Sequence, residues 1–211
     1  MAEAADLGIG ELLEAVDRRG QRFLLGITGP PGAGKSTIAA LVEAAVNKRR
    51  GAGFAVVAPM DGFHRTNKEL RELGLLEKKG APETFDVDGF VHLLEQVRRD
   101  LDAAITWPDF DRSIEETVPD AIPIRPSSRL VIVEGNYLLL ERPGWHALHG
   151  MLDQVWYVDA PRDVLRDRLL DRARAGGRTE AEATRHVDGS DLPNAELVAA
   201  TRNAADRIVS S

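Results

Sequence analysis

An α/β protein with a parallel sheet and helices on both faces is the fold class this sequence predicts, and three observations predict it. Short apolar runs recur at Phe23-Leu24-Leu25-Gly26-Ile27, Phe54-Ala55-Val56-Val57-Ala58, Leu130-Val131-Ile132-Val133 and Val155-Trp156-Tyr157-Val158, as strands buried on both faces require. Segments with apolar residues at helical spacing alternate with these runs, which is the pattern of βαβ units. The chain has 211 residues, 43% of them hydrophobic, enough for one domain whose core needs neither disulfides nor a structural metal.

Taken in order, Ile9, Leu12, Leu13 and Val16 mark a helix ahead of the first strand. A second helix runs from about Lys35, with Ile38, Leu41, Val42, Ala45 and Val46 facing inward. Pro59 ends the second strand, and residues 61–87 are polar and broken by Gly and Pro, a loop with a short helix inside. Asp88 suits the N-cap of a helix carrying Phe90, Leu93, Leu94, Val97 and Leu101. The stretch 105–128 contains Pro108, Pro119, Pro123 and Pro126 and is expected to be irregular. Strand 130–133, a short helix near 145–152 and strand 155–158 follow. Arginine- and alanine-rich helices then lead to Arg207-Ile208-Val209, for a mostly parallel sheet of five strands. Trp145, Trp156 and Tyr157 read as packing residues. Both 61–87 and 105–128 are long for plain connections, which marks them as binding loops.

The 27 basic and 34 acidic residues give a net charge of −7, which argues against nucleic acid as the main partner. With no cysteine, thiol nucleophiles, thiolate metal sites and disulfides are excluded, and a reducing, cytoplasmic home is the simplest. The first residues lack a signal-peptide pattern, and no apolar stretch has the length of a membrane span.

Gly29-Pro30-Pro31-Gly32-Ala33-Gly34-Lys35-Ser36 fits G-x-x-x-x-G-K-[ST] between a strand and a helix, with Thr37 one residue on. Such a loop turns successive backbone N–H groups inward onto phosphate oxygens, and the helix N-terminus adds positive potential. Lys35 serves the β- and γ-phosphates, and the Ser36 hydroxyl suits Mg²⁺. The expected architecture is therefore a three-layer P-loop fold binding a nucleoside triphosphate.

Ligands of such sheets bind beyond the carboxyl ends of the strands, so the other strand ends decide the chemistry. Asn67-Lys68-Glu69-Leu70 lacks the aspartate of a guanine-reading N-K-x-D, which speaks against a GTP switch. Met60-Asp61-Gly62-Phe63-His64-Arg65 places a carboxylate across the crevice from the phosphate loop, where it can take a proton from an attacking hydroxyl; the alternative is a turn-forming Asp-Gly pair. Val133-Glu134-Gly135-Asn136-Tyr137 brings a second carboxylate suited to Mg²⁺ or to substrate.

These motifs together resemble the family of uridine kinases, phosphoribulokinases and bacterial-type pantothenate kinases. Ala81-Pro82-Glu83-Thr84-Phe85-Asp86 is similar to that family's substrate-side loop, and Pro108-Asp109-Phe110-Asp111-Arg112 to its Pro-x-(Phe/Tyr)-Asp segment. Asp191-Leu192-Pro193-Asn194 resembles the ending of a short bacterial subgroup named nucleoside kinase-like or fructose transport system kinase. The resemblance spans about residues 20–209. It implies a single kinase domain over 1–211 that uses ATP and Mg²⁺, with Asp61 as catalytic base, Lys35 and Ser36 as phosphate and metal anchors, and Glu134 near the metal. His64, Arg65 and Arg112 fall on its acceptor side, with Tyr137 at the neighbouring strand end. For a sugar acceptor, Asp86, Asp109, Asp111, His64 and Arg112 would serve its hydroxyls; for a pyrimidine, Phe63, Phe85 and Phe110 would supply an aromatic face. The length leaves little room for the N-terminal extension of pantothenate kinases.

Arg168 and Arg172 are four apart and share a helical face that is expected to close over ATP, within a lid at about 162–180 hinged at Gly176-Gly177; Arg178 follows the hinge. The alternative is a solvated face in which Asp163, Asp167 and Asp171 pair with the arginines. Asn194 is either a helix N-cap or an adenine contact. The expected activity is transfer of the γ-phosphoryl group to a hydroxyl of a sugar or nucleoside. Alternatives are an ATP-binding regulatory or transport-associated module with slow ATPase activity, and a nucleoside monophosphate kinase. No nucleic acid or membrane partner is expected, and the oligomeric state is left open, a homodimer included.

Overall fold

The computed structural model describes residues 7–210. Helix α1 (Ile9–Arg19) leads into β1 (Phe23–Thr28), followed by α2 (Lys35–Arg50), β2 (Ala55–Pro59), the short α3 (Asn67–Glu72) and α4 (Val87–Arg99). Strands β3 (Ile105–Asp111) and β4 (Glu116–Ile124) precede β5 (Leu130–Glu134), α5 (Ala147–Met151) and β6 (Gln154–Asp159). Helices α6 (Arg162–Ala175), α7 (Glu180–His186) and α8 (Leu192–Ala199) lead to β7 (Arg207–Ser210). No helix among the described residues is long and apolar enough to cross a membrane.

Five strands pair in the order β2-β5-β1-β6-β7, each neighbour parallel. Alternate side chains feed two cores, as the two-residue period of a strand requires. Leu25, Ile27, Ile132 and Val158 pack with Leu12, Val16, Ile38 and Val42 of α1 and α2 on one face. Leu24, Val131, Val133 and Tyr157 pack with Phe90, Leu94 and Val97 of α4 and with Trp107 and Trp145 on the other. A smaller third core of Leu169, Leu170, Ala173, Ala183, Val187 and Leu192 holds α6–α8 together. β1 hands the chain to β2 on one side and β5 hands it to β6 on the other, so the crevice opens beyond the carboxyl ends of these two central strands.

Three details differ from the sequence reading. The stretch 105–128 is an antiparallel hairpin, β3–β4, rather than irregular chain. Its ladder slips between Trp107 and Asp109, at Pro108, and a two-stranded ribbon has outer edges on which proline costs no ladder bond. Helix α4 is capped by Asp86, which accepts from the Gly89 N–H at 3.2 Å, not by Asp88. Asn194 lies inside α8 and is not its cap.

One buried cation serves the fold alone. Arg22, just ahead of β1, donates to the carbonyls of Val97 (2.6 Å) and Asp100 (3.2 Å) at the C-terminus of α4, and to Arg125 and Ser128 at 3.0 Å. Those carbonyls have no partner within their helix, and the guanidinium supplies one. Burial lowers its pKa.

Candidate active site

The phosphate loop connects β1 to α2, and glycine lets it lie against the sheet end. Gly29, Gly32 and Gly34 have φ of 145°, 82° and 87°. A Cβ on Gly29 would stand 2.4 Å from the Val158 carbonyl oxygen of β6, so only glycine permits this approach. Lys35 is buried, and its Nζ donates to the Pro30 carbonyl at 3.0 Å. Burial lowers its pKa, opposed by the carboxylates of Glu134 and Asp61.

Glu134 closes β5, level with Ile27 of β1 and Pro59 of β2. The Ser36 hydroxyl donates to its Oε2 at 3.2 Å. Burial holds the Glu134 carboxyl above the usual carboxylate range, with Lys35 pulling the other way. Among the described residues no three His, Cys, Asp or Glu side chains cluster as a self-sufficient metal site. Two hard oxygens beside a phosphate loop nevertheless fit a divalent ion of the magnesium class, which takes one or two protein oxygens and fills its remaining positions with phosphate and water.

Asp61 sits in the 3₁₀ turn Met60–Phe63 that follows β2. Its Oδ2 accepts from Arg112 Nη2 at 2.7 Å, and Arg112 is carried there by the tip of the β3–β4 hairpin. The hairpin crosses Gly62 so closely that a Cβ there would lie 2.3 Å from the Pro108 carbonyl oxygen. His64 Nδ1 is 2.8 Å from the Asp61 carbonyl, which fixes the proton on Nδ1; burial lowers the ring's pKa, leaving Nε2 as an acceptor in the neutral form. The His64 ring tilts against Phe85 and Phe110, with centroids 4.1 and 4.7 Å away.

These groups share one cavity of about 1020 Å³. Pro31, Gly32, Gly34, Lys35, Ser36 and Thr37 line its loop side; Asp61, His64, Phe85, Phe110, Arg112 and Glu134 line the sheet-end and hairpin side; Arg172 enters from α6. Gly29, Pro30 and Ala33 shape the turn behind that lining. Arg168 contacts the same loop from outside the lining, through the Gly32 carbonyl at 3.3 Å.

Several expected acceptor residues, Phe63, Asp109 and Asp111 among them, fall outside the cavity wall. Asp86 is the α4 cap, Tyr137 is buried with its hydroxyl donating to the Gly80 carbonyl at 2.6 Å, and Arg65 follows His64 without reaching the lining. The cavity also brings in Asn67, Lys79, His186 and Asp191, none of them a site residue in the sequence reading, together with Arg178 and Asn194. Asp191 lies in a π-helical turn, Val187–Asp191, that no periodicity signals. Lys79 belongs to the polar, Gly/Pro-broken segment 61–87, whose pattern singles out no residue.

Comparison with known proteins identifies relatives of this chain. Residues 24–209 match the model of the phosphoribulokinase/uridine kinase family. A Schizosaccharomyces pombe protein named "Putative uridine kinase" is 38% identical over 184 residues, covering 84% of this chain and 78% of its own. The Escherichia coli K12 protein named "Uncharacterized protein YggC" is 38% identical over 189 residues, covering 90% of this chain and 78% of its own. A crystal structure from Silicibacter sp. TM1040, described as a "putative fructose transport system kinase", superposes with a TM-score of 0.89 at 36% identity, covering 99% of this chain and 100% of that one.

Proposed function

The chain belongs to the phosphoribulokinase/uridine kinase family of small-molecule kinases, and from that premise we propose that it transfers the γ-phosphoryl group of Mg-ATP to a hydroxyl of an uncharged metabolite, a fructose-like sugar before a nucleoside. The observation that carries this reading is that Asp61 and the phosphate loop line a single cavity from different strand ends.

Each residue has a place in the transfer. The loop amides and Lys35 hold the triphosphate, with Arg172 and Arg168 closing from the lid formed by α6 and the segment after it. Ser36 and Glu134 would hold the Mg²⁺ ion, which supplies charge neutralisation on the β- and γ-phosphates. Arg112 donates to one oxygen of Asp61, and the other accepts the proton of the acceptor hydroxyl. As that proton leaves, the alcohol oxygen bonds to the γ-phosphorus, the bond to the β–γ bridging oxygen breaks, and ADP departs. Lys35, Arg172 and the loop N–H groups stabilise the charge spread over the transferred group.

Charge on the acceptor side supports a neutral substrate. Arg112 is paired with Asp61 at 2.7 Å, and Lys79 lies 3.9 Å from a Glu115 carboxylate oxygen, so an anionic acceptor would have to displace one of them. The aromatic faces support a sugar over a pyrimidine. Phe85 and Phe110 both pack on His64, and Lys79 covers Phe110 with its Nζ 5.0 Å from the ring centroid. A nucleoside monophosphate kinase would instead bring a phosphate against the negative Asp61. A chain without thiols suits a reducing compartment such as the cytoplasm.

The test is ADP formation with D-fructose, other neutral sugars, uridine, cytidine, pantothenate and UMP as acceptors. Turnover stimulated by a neutral sugar or nucleoside is the expected result. Turnover stimulated only by UMP, or independent of every acceptor, overturns the reading.

A further inference from the structure

The acceptor side of the cavity is made from two segments far apart in the sequence, and one side chain joins them. Lys79 is half-buried within the 61–87 segment. Its Nζ donates to Asn67 Oδ1 at 2.8 Å and to the Glu115 carbonyl at 2.6 Å, and lies over the Phe110 ring. Glu115 is in the hairpin tip with φ of 53°, a left-handed conformation that a non-glycine residue adopts only when its surroundings hold it. Asn67 Nδ2 donates to the same carbonyl at 3.2 Å, and the Asn67 N–H donates to Glu116 Oε1 at 3.3 Å. Thr117 Oγ1 adds a bond to the His64 carbonyl at 3.0 Å.

Arg112 stands three residues before Glu115. Its ion pair with Asp61 joins side chains 59% and 27% exposed, and a pair so open to water holds little geometry by itself. The tip must therefore be placed by something else. We propose that Lys79 is a positioning residue for the acceptor site: by tying down the Glu115 carbonyl it locks the hairpin tip, and with it Arg112, over Asp61 before any acceptor arrives. This rests on the reading of Asp61 and Arg112 as acceptor-side groups. In this role Lys79, although it lines the cavity, acts through Arg112 rather than on ATP or the reacting hydroxyl.

Two measurements on Lys79→Met test it. In ligand-free protein, amide hydrogen exchange at 112–116 accelerates about tenfold or more while α6–α8 are unchanged; wild-type exchange at the tip sinks the lock, whichever acceptors are turned over. In steady-state kinetics with ATP and the better of D-fructose and uridine, the KM for that acceptor rises about tenfold while the KM for ATP stays within about twofold. In an Arg112→Ala background the same substitution changes the acceptor KM less than about twofold, because its effect runs through Arg112. An equal rise in both backgrounds, or an equal rise for ATP, overturns the proposal. Asn67→Ala removes one of the two hydrogen-bond partners without emptying the lysine site, and gives the same direction at smaller size even if Lys79→Met fails to fold. Faster exchange at the tip in a protein that phosphorylates neither D-fructose nor uridine would leave the lock standing and remove the proposed acceptor class instead.

Discussion

The two walls of the cavity are built in different ways. The acceptor wall is backed by interlocked aromatic rings: Phe63 packs on Phe90 and Trp107 with centroids 4.9 and 5.0 Å away, and Tyr137 packs on Trp145 at 5.2 Å. Hydrogen bonds such as Trp107 Nε1 to the Pro59 carbonyl at 2.9 Å finish it. The wall made by α6–α8 has a small aliphatic core and is laced on its outside by solvent-exposed ion pairs, among them Arg166–Asp188 at 3.0 Å and Arg174–Glu180 at 2.7 Å. Arg172, its charge inside the cavity, reaches Asp191 only at 3.8 Å. Buried rings and short bonds fix a shape, whereas exposed ion pairs contribute little each and rearrange at small cost. Under the proposed function, this contrast gives selection to the acceptor wall and closure to the helical wall.

Between the walls lies a floor that they share, and its substitution should have a larger effect than a change in either wall. Burial raises the Glu134 pKa, so the folded state disfavours its charge; that stability is present below the ordinary value and lost as pH rises through the folded one. Glu134→Gln should therefore melt higher than wild type at alkaline pH, with the gap narrowing as pH falls through the raised folded value and gone below about 4.5. Turnover should fall on the order of 10²-fold. A lower melting temperature at all pH values would contradict the burial argument.

Leu169→Ala opens the small core of α6–α8, where truncations cost about 2–5 kcal/mol. Hydrogen exchange should quicken in those helices and leave α4 and the hairpin protected, and the KM for ATP should rise. Spread of the damage to the acceptor wall would dissolve the distinction between the two. Gly62→Ala is the converse. Its Cβ meets the Pro108 carbonyl, and such overpacking costs about 1–3 kcal/mol, read by denaturant unfolding, with the acceptor KM raised and ATP binding spared. Smallest is the response to salt. Raising ionic strength from about 0.01 to 1 M shortens the screening length from about 30 to 3 Å, so it should weaken the KM for ATP more than that for the acceptor.

Much of this was legible in the sequence. Four of the five sheet strands follow from apolar runs, because a strand buried within the sheet leaves little freedom of composition, whereas β7 is a short and largely open edge. The phosphate loop, Asp61 and Glu134 follow from motifs whose spacing a strand end dictates. The hairpin did not, since the prolines that argue against a strand inside a sheet are harmless on a two-stranded ribbon. Lys79, His186 and Asp191 were missed for another reason: long-range folding of loops brings them to the cavity, and no local period records it. Asp86 and Tyr137 show the opposite error. Both sit in motif-bearing segments, yet one caps a helix and the other braces the 80s loop.

The most direct test of the account is phosphoryl transfer by Asp61→Asn beside wild type, with labelled ATP and the acceptor that the wild type prefers, while ATP affinity is followed by calorimetry. A lost general base predicts a fall in kcat of about 10²–10⁴ with ATP affinity within about twofold of wild type. A variant that still transfers label at the full rate would show that the carboxylate facing the phosphate loop is not the group that takes the hydroxyl's proton.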